Sequence, residues 1–226
     1  MSKLVKIAEG IHCVESEIKM PGGVRMNTRM TVVRLVNGKL LVHSPIGLND
    51  ELAKAVDALG EVAYVVAPNR MHHLYFGPCA ERYRHARTFG PPGLAEKMPG
   101  LRIDSVLRDE PPDEWAFEIE QVVVHGAPKM SEVVFYHKPT KTLIVSDLFF
   151  NIVRPANFAT KVLLTFTGAR GKLAKSRVWS MMTEDEAVFE SSVRKVLAFD
   201  FDTLVMAHGD IVEKNAGEKA RAAWGL

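Results

Sequence analysis

The chain has 226 residues, of which 47% are hydrophobic and 25% are charged. This length and composition are typical of a globular protein with a substantial core, and we expect a single domain over residues 1–226. The formal net charge of +2 gives no reason to expect a nucleic acid partner. The two cysteines, Cys13 and Cys79, are too few for a disulfide framework and lack the spacing of a metal-binding pair.

The N-terminal segment MSKLVKIAEGIHCVES lacks the long apolar core of a signal peptide. No apolar run approaches the roughly 20 residues that a membrane-spanning helix needs. The sequence therefore predicts a cytoplasmic protein without a membrane partner.

The first third of the chain combines strand patterns with one helix pattern. Two β-rich runs, GIHCVES and RMTVVRLV, are followed by the hairpin signal NGK and a third strand, LLVHS. The segment NDELAKAVDALG predicts a helix that is capped by Asn49 or Asp50 and ends at Gly60. The apolar run VAYVVA then predicts a buried strand.

The rest of the chain predicts further strands and a C-terminal pair of helices. The segment LAEKM, between two proline-rich interruptions, predicts a short helix. Strands are predicted at WAFEIE, VVVHG, EVVFYH and KTLIVSD, with KPT as the turn between the last two. The segment TEDEAVFESSVRKVLAF predicts a helix with Thr183 and Glu186 as a capping box. A short strand, TLVMA, and a helical tail from Ile211 complete an α/β pattern of two packed sheets flanked by helices.

Polar residues that can bind metal follow three of the apolar strands directly. They occur in VVAPNRMHHL, LIVSDLFF and LVMAHGDIV, and the residues are His72, His73, Asp147 and His208. Each residue taken singly suits an ordinary loop or turn role. Because strand ends aim side chains from distant segments at one point, their recurrence makes a metal site an alternative of equal weight to these ordinary roles. Imidazole with one carboxylate suits zinc, iron or manganese.

The same segments resemble the motifs of the metallo-β-lactamase fold superfamily over nearly the whole chain. The similar segments are LLVHSPIGL, APNRMHHLYFG, LIVSDLFF and VMAHGD. Together with PPGL and SDLFFN, they also resemble an uncharacterised bacterial branch of that superfamily, a domain of unknown function. The resemblance implies a four-layer αββα sandwich with a metal site between the strand ends.

The resemblance also reveals departures from the superfamily pattern. In the superfamily loop T-H-x-H-x-D-H-x-x-G, His73 matches the last His and His72 matches the Asp, whereas Pro68 and Arg70 occupy the positions of the first two His. His125 lies a few residues too early to match the remaining ligand of the first metal. The resemblance thus implies that the first metal site is lost, and that His72, His73, Asp147 and His208 hold one metal at the second.

The function that the resemblance implies is metal-dependent hydrolysis of a small-molecule substrate, with one divalent metal, zinc, iron or manganese. Asp147 and Arg70 are the expected catalytic residues, Arg70 as an electrostatic partner of the substrate. His43, His125 and Asp210 are expected to support the ligands or contact substrate. For His125 a solvent-facing strand end, and for Asp210 a cap of the last helix, remain open.

Three other functions also stay open at this point. Four protein ligands would close the coordination shell and make the metal structural. Lost ligands are compatible with a degenerate relative that binds a small ligand or a partner protein. Iron in the site would allow a redox role.

The segment from Leu148 to Thr183 contains no acidic residue, so it either attracts an anionic substrate or forms a solvated face. Its cationic residues are Arg154, Lys161, Arg170, Lys172, Lys175 and Arg177. Its apolar residues Phe158, Leu163, Leu164 and Phe166 suit either a pocket wall or an oligomer contact.

Overall fold

The protein is described here by a computed structural model, which covers residues 3–168, 171–175 and 178–225. Seven strands form one sheet in chain order: β1 (Val5–Ala8), β2 (Ile11–Met20), β3 (Val24–Arg34), β4 (Leu40–His43), β5 (Val62–Val66), β6 (Arg87–Gly90) and β7 (Ser105–Val106). β1 to β4 pair antiparallel, and β4 to β7 pair parallel. The N-terminal half of the chain therefore forms one mixed sheet.

The second sheet has four strands in the order β11-β10-β9-β8. These strands are β8 (Ile119–Val123), β9 (Val133–His137), β10 (Thr142–Ile144) and β11 (Thr203–Val205). The first three pair antiparallel, whereas β10 and β11 are parallel. The carboxyl ends of β10 and β11 consequently lie at the same edge of this sheet.

Seven helices are present in the described part of the chain. They are α1 (Asp50–Asp57), α2 (Phe76–Arg82), α3 (Leu94–Lys97), α4 (Phe158–Thr167), α5 (Val178–Met182), α6 (Glu186–Leu197) and α7 (Ala216–Trp224). Helix α1 begins at the predicted Asn49, whose side chain accepts a hydrogen bond from the Leu52 backbone N–H. None of the described helices combines the length and the hydropathy that spanning a membrane requires.

Three apolar clusters define the layers. Leu52 of α1 and Phe76 of α2 pack on the outer face of the first sheet. Phe89, Trp115 and Phe135 lie between the two sheets. A third cluster packs helices α6 and α7 on the outer face of the second sheet; it includes Val193, Ala220, Leu143 and Val145. Each large side chain buried in this way contributes about 1.5–3 kcal/mol. The predicted four-layer αββα sandwich is confirmed.

Several element boundaries differ from the sequence-based predictions, and three of them illustrate why. Helix α6 is capped by Asp185, whose side chain accepts from the Val188 N–H, and not by Thr183. Helix α7 begins after Asn215 rather than at Ile211. Strand β8 begins at Ile119, because the residues from Trp115 to Glu118 form turns closed by backbone hydrogen bonds. In each case, short-range hydrogen bonding fixes a boundary that hydrophobic periodicity leaves open.

Candidate metal centre

Three predicted ligands come together in the structure. Asp147 and His208 follow the carboxyl ends of β10 and β11, and His72 lies in the loop after β5. The His72 Nε2 lies 3.4 Å from the Asp147 Oδ2, and the His208 Nε2 lies 3.3 Å from the Asp147 Oδ1. The two imidazole Nε2 atoms are 3.2 Å apart. The described residues contain one group of His, Cys, Asp and Glu side chains that are close enough to share a metal ion, and it consists of these three.

The spacing of these ligand atoms fits a small divalent cation. Tetrahedral zinc with bonds of about 2.0 Å holds neighbouring ligand atoms about 3.3 Å apart. The separation of the two Nε2 atoms, 3.2 Å, matches this value. Each Nε2 lies 3.3 or 3.4 Å from a different oxygen of Asp147, and one ligand atom from each of the three residues lies within 4.8 Å of the others. A cation between the atoms would also interact with two imidazole nitrogens that otherwise face each other directly at 3.2 Å.

Both imidazole rings are oriented through their other nitrogen. The His208 Nδ1 lies 2.6 Å from the Asn27 backbone oxygen; because a carbonyl only accepts, Nδ1 carries a proton, and Nε2 is the nitrogen that can release its proton to bind a metal ion. The His72 Nδ1 is 2.9 Å from the Ser44 hydroxyl. Ser44 has a φ of +53°, a left-handed conformation at the end of β4. Such partners fix ring orientation and raise ligand basicity in metal sites.

Asp147 is buried and held from several sides. The Asn69 side-chain amide donates to its Oδ2 at 2.7 Å, and the Trp179 indole N–H donates to its backbone oxygen at 2.7 Å. Burial alone would raise the pKa of Asp147, but the charge of His72 and the hydrogen bond from His208 outweigh it, so the pKa lies well below its ordinary value. The carboxylate therefore stays ionised and available to a cation.

Glu132, which sequence reasoning missed, anchors the loop that carries Asp147. Its carboxylate is fully buried and accepts backbone N–H groups from Ser146, Asp147 and Leu148, at 2.8, 2.8 and 3.2 Å. Burial first, and then the charge of Asp147, raise the pKa of Glu132 to about 7. In the sequence, Glu132 directly precedes a strand. Nothing in the sequence distinguishes it from an exposed glutamate at the same kind of position.

Arg29 of β3, also missed, fixes the segment that carries His208. This buried arginine donates to the backbone oxygens of Met206 and Gly209 and pairs with Glu15. Phe150 stacks on the His208 ring with a centroid distance of 5.3 Å and an interplanar angle of 9°. The third ligand is thus held by a strand from the N-terminal sheet and by an aromatic neighbour.

Position 209, next to His208, requires glycine because of its backbone conformation and because of the atoms that surround it. Its φ is +101°, and a Cβ there would overlap the backbone of Asn151. We expect Gly209→Ala to lower the free energy of unfolding by more than the roughly 1–3 kcal/mol that backbone strain alone costs, and to displace His208. Urea denaturation measures the loss. Gly22→Ala, with a φ of +75° and open space around it, is the control; equal losses in both variants would contradict the close-contact argument.

A cavity of about 350 Å³ opens beside the three ligands. Apolar side chains from the β2–β3 hairpin, from the loop before α2 and from helices α4 and α5 form most of its wall. They include Met20, Met26, Met71, Leu163, Trp179 and Met182. Of the predicted apolar residues, Leu163 and Leu164 line it, whereas Phe158 and Phe166 are exposed.

The structure does not bring His73 or Arg70 to the three ligands. Neighbouring residues in a helical turn point in different directions, and His73 is absent from the ligand group and from the cavity wall. Burial and the neighbouring charge of Lys97 lower the pKa of His73. Arg70 donates to the Pro128 backbone oxygen at 2.7 Å and contacts Gly93. Its guanidinium therefore lies in a loop contact, and Arg70 is not among the residues that line the cavity.

The remaining predicted residues, His43, His125 and Asp210, belong neither to the ligand group nor to the cavity wall. His43 is buried at the end of β4, where burial and His72 lower its pKa to about 3, and its Nε2 has no hydrogen-bond partner. His125 is exposed and its Nε2 lies 2.7 Å from the Asp109 carboxylate. Asp210 is exposed and its backbone pairs with Asn151, so it does not cap α7.

The cations of the segment from Leu148 to Thr183 do not line the cavity where they are described. Lys175 lies over the Trp224 ring at 4.9 Å, and Arg154 lines a separate hollow together with Arg25. Arg170 and Arg177 lie outside the described residues. The described part of the segment therefore favours a solvated basic face over an anion site at the ligands.

Solved structures with similar folds include metallo-β-lactamases and a flavodiiron protein. The metallo-β-lactamase DIM-1, exposed to ceftazidime, aligns with a TM-score of 0.69 at 13% identity, over 98% of this chain and 95% of that one. FIM-1 from Pseudomonas aeruginosa, in a mono-zinc form, aligns with 0.66 at 12% identity, over 98% and 94%. The metal-soaked Flv1 flavodiiron core from Synechocystis sp. PCC6803 aligns with 0.69 at 12% identity, over 99% and 60%.

At these identities the likeness shows the fold alone, and that fold is the one the sequence motifs predicted. No curated protein gives a significant match to the chain. A family described as a domain of unknown function, DUF4336, matches residues 9–163, which is more than half of the chain. The protein therefore has the metallo-β-lactamase fold and belongs to the DUF4336 family.

Proposed function

We propose that the protein is a metal-dependent hydrolase that binds one divalent metal ion through His72, Asp147 and His208 and acts on a small molecule. The observation that carries this proposal is that each of the three residues offers a ligand atom within 4.8 Å of the others, next to a cavity. Three protein ligands leave a coordination position open, as in catalytic zinc sites, whereas structural sites have four. This supports a catalytic role over the structural alternative.

When bound, a divalent metal supplies Lewis acidity and lowers the pKa of a coordinated water towards neutrality. The chain itself contributes orientation and a water-poor environment. The Asn27 carbonyl and the Ser44 hydroxyl hold the two rings, while Asn69 holds the Asp147 carboxylate. Because the cavity wall is mainly apolar, it excludes water and strengthens electrostatic interactions at the ligands.

Metal content tests the proposal directly. We expect protein purified without added metal to contain about one equivalent, and His208→Ala to lose it, since ligand loss removes folding-coupled binding energy. His125→Ala is the matched control, because His125 is an exposed histidine away from the cavity. Less than roughly half an equivalent in the wild-type protein, unchanged by His208→Ala, would remove the basis of the proposal.

Activity and metal identity complete the test. The activity test screens esters, lactones, thioesters and phosphodiesters for hydrolysis. Hydrolysis that depends on the metal should disappear when a chelator removes the metal and return when zinc is added. Two histidines and one carboxylate also form the ligand set of non-haem iron oxygenases, so anomalous scattering at the zinc and iron edges separates a hydrolytic from a redox centre. Metal binding without any turnover would favour a protein that only binds its ligand.

A further inference from the structure

We infer that the cavity beside the three ligands binds an uncharged hydrocarbon chain. If the proposed function holds, the substrate is then an ester, thioester or lactone whose reactive carbonyl lies at one end of such a chain. The first statement rests on the cavity wall alone, and the second also rests on the proposed function.

One end of the cavity wall is polar, and the rest of the wall is mainly apolar. In the described part of the chain, the charged or titratable side chains that line the cavity are His72, Asp147, His208 and the Tyr75 phenol. The remaining wall is dominated by aliphatic, aromatic and methionine side chains. A ligand that matches this division has a single polar group and an apolar body, because an unpaired polar group buried against the wall would lose its hydrogen bonds to water.

The apolar wall is joined directly to the ligands. Phe150 stacks on the His208 ring, and Trp179, whose indole N–H donates to the backbone of Asp147, lines the cavity. An apolar chain in contact with these two aromatic rings therefore places its polar end at the three ligand atoms. The geometry links chain binding to the position of the reactive group.

The size and the rim of the cavity also suit a chain. Its volume, about 350 Å³, lies at the lower end of the roughly 300–1,000 Å³ range of small-molecule sites. Three lining side chains, Met20, Met71 and Leu74, are 40%, 50% and 68% exposed, so the entrance is apolar as well. Flexible methionine side chains adapt to ligands of different shape.

An anionic substrate is less compatible with this wall. No lysine or arginine lines the cavity in the described residues. A phosphate or carboxylate beside Asp147 would have no compensating cation from the chain other than the histidines. The uncharged chain is therefore the occupant that the wall favours.

Binding of primary alcohols to metal-stripped protein tests the inference without metal or turnover. With hexanol, octanol and decanol, we expect saturable binding whose affinity rises about threefold to fourfold per methylene. A change in Trp179 fluorescence reports binding, and its loss in Trp179→Phe assigns the signal. Absence of saturable decanol binding, or equal affinity for all three alcohols, would overturn the inference.

A pair of adjacent methionines supplies the matched variants. Met182 lines the cavity, whereas Met181 is 77% exposed and does not. We expect Met182→Lys to weaken decanol binding at least tenfold and Met181→Lys to leave it unchanged. Leu163→Trp fills the cavity without adding a charge, and we expect it to weaken decanol binding as well. It provides the test if Met182→Lys does not fold. Unchanged decanol binding in both Met182→Lys and Leu163→Trp contradicts the inference.

The two proposals fail in different ways. Alcohol binding with no bound metal removes the hydrolase and leaves the chain site. Metal-dependent hydrolysis whose kcat/KM is the same for acetyl and decanoyl esters removes the chain-bearing substrate and leaves the hydrolase. Rising kcat/KM with acyl length, lost in Met182→Lys but not in Met181→Lys, supports both.

Discussion

Asp147→Asn is expected to weaken zinc binding more than about 100-fold, since even the loss of a residue that only orients a ligand costs 10- to 100-fold. The carboxylate contributes the negative charge of the centre and lies between both imidazoles. An asparagine side chain retains an oxygen for the Asn69 amide, which now donates to the Asp147 Oδ2. The fold should therefore persist while the metal site fails. Competition with a chromophoric chelator measures the affinity.

Asp210→Asn is the matched control for this variant. It makes the same chemical change at an exposed carboxylate two residues after His208, outside the ligand group. We expect its zinc affinity to equal that of the wild-type protein. A similar affinity in Asp147→Asn and Asp210→Asn would show that zinc binds elsewhere.

Glu132→Ala is expected to lower the free energy of unfolding by about 3 kcal/mol or more. The substitution leaves three buried backbone N–H groups, those of Ser146, Asp147 and Leu148, without their acceptor, and each such loss costs about 1–3 kcal/mol. Zinc affinity should fall as well, because the Asp147 loop loses its anchor. Urea denaturation of the metal-free protein separates the stability effect from metal binding.

Glu132→Gln tests the same hydrogen bonds with a side chain of nearly the same shape. Each carboxylate oxygen of Glu132 accepts at least one backbone N–H, so a glutamine in either orientation directs its NH₂ group at a donor. The isosteric change should therefore also destabilise the protein. Glu120→Gln, at an exposed position of β8, is expected to change the free energy of unfolding by less than about 0.5 kcal/mol. A neutral result for Glu132→Gln would show that solvent or another acceptor replaces the carboxylate.

The sequence predicted the layers and most of the ligand-bearing loops because both depend on local patterns. Apolar runs marked the strands that end before His72, Asp147 and His208, and parallel pairing of β10 with β11 brings two of these ends together. The hairpin after β9 and helix α1 likewise follow from turn and capping residues.

The parts that sequence reasoning missed depend on contacts between distant residues. The hydrogen bond from Asn69 to Asp147 joins residues 78 positions apart, and Arg29 reaches Gly209 across 180 positions. Neither pair leaves a periodic or spacing pattern. For the adjacent His72 and His73, the turn before α2 decides which ring faces the centre, and that turn is stabilised by the Asn69 side chain, which accepts from the Met71 and His72 N–H groups.

The distribution of the ligands along the chain determines when the centre can assemble. His72 and His208 are 136 residues apart, and the segment of His208 is held by Arg29 of the N-terminal sheet. Contacts between such distant residues require a long loop to close before they are gained, so they form more slowly than local contacts. A newly synthesised chain that has not yet added β11 to its second sheet lacks the third of these side chains. Under the proposed function, full metal affinity would therefore mark the finished fold rather than an intermediate.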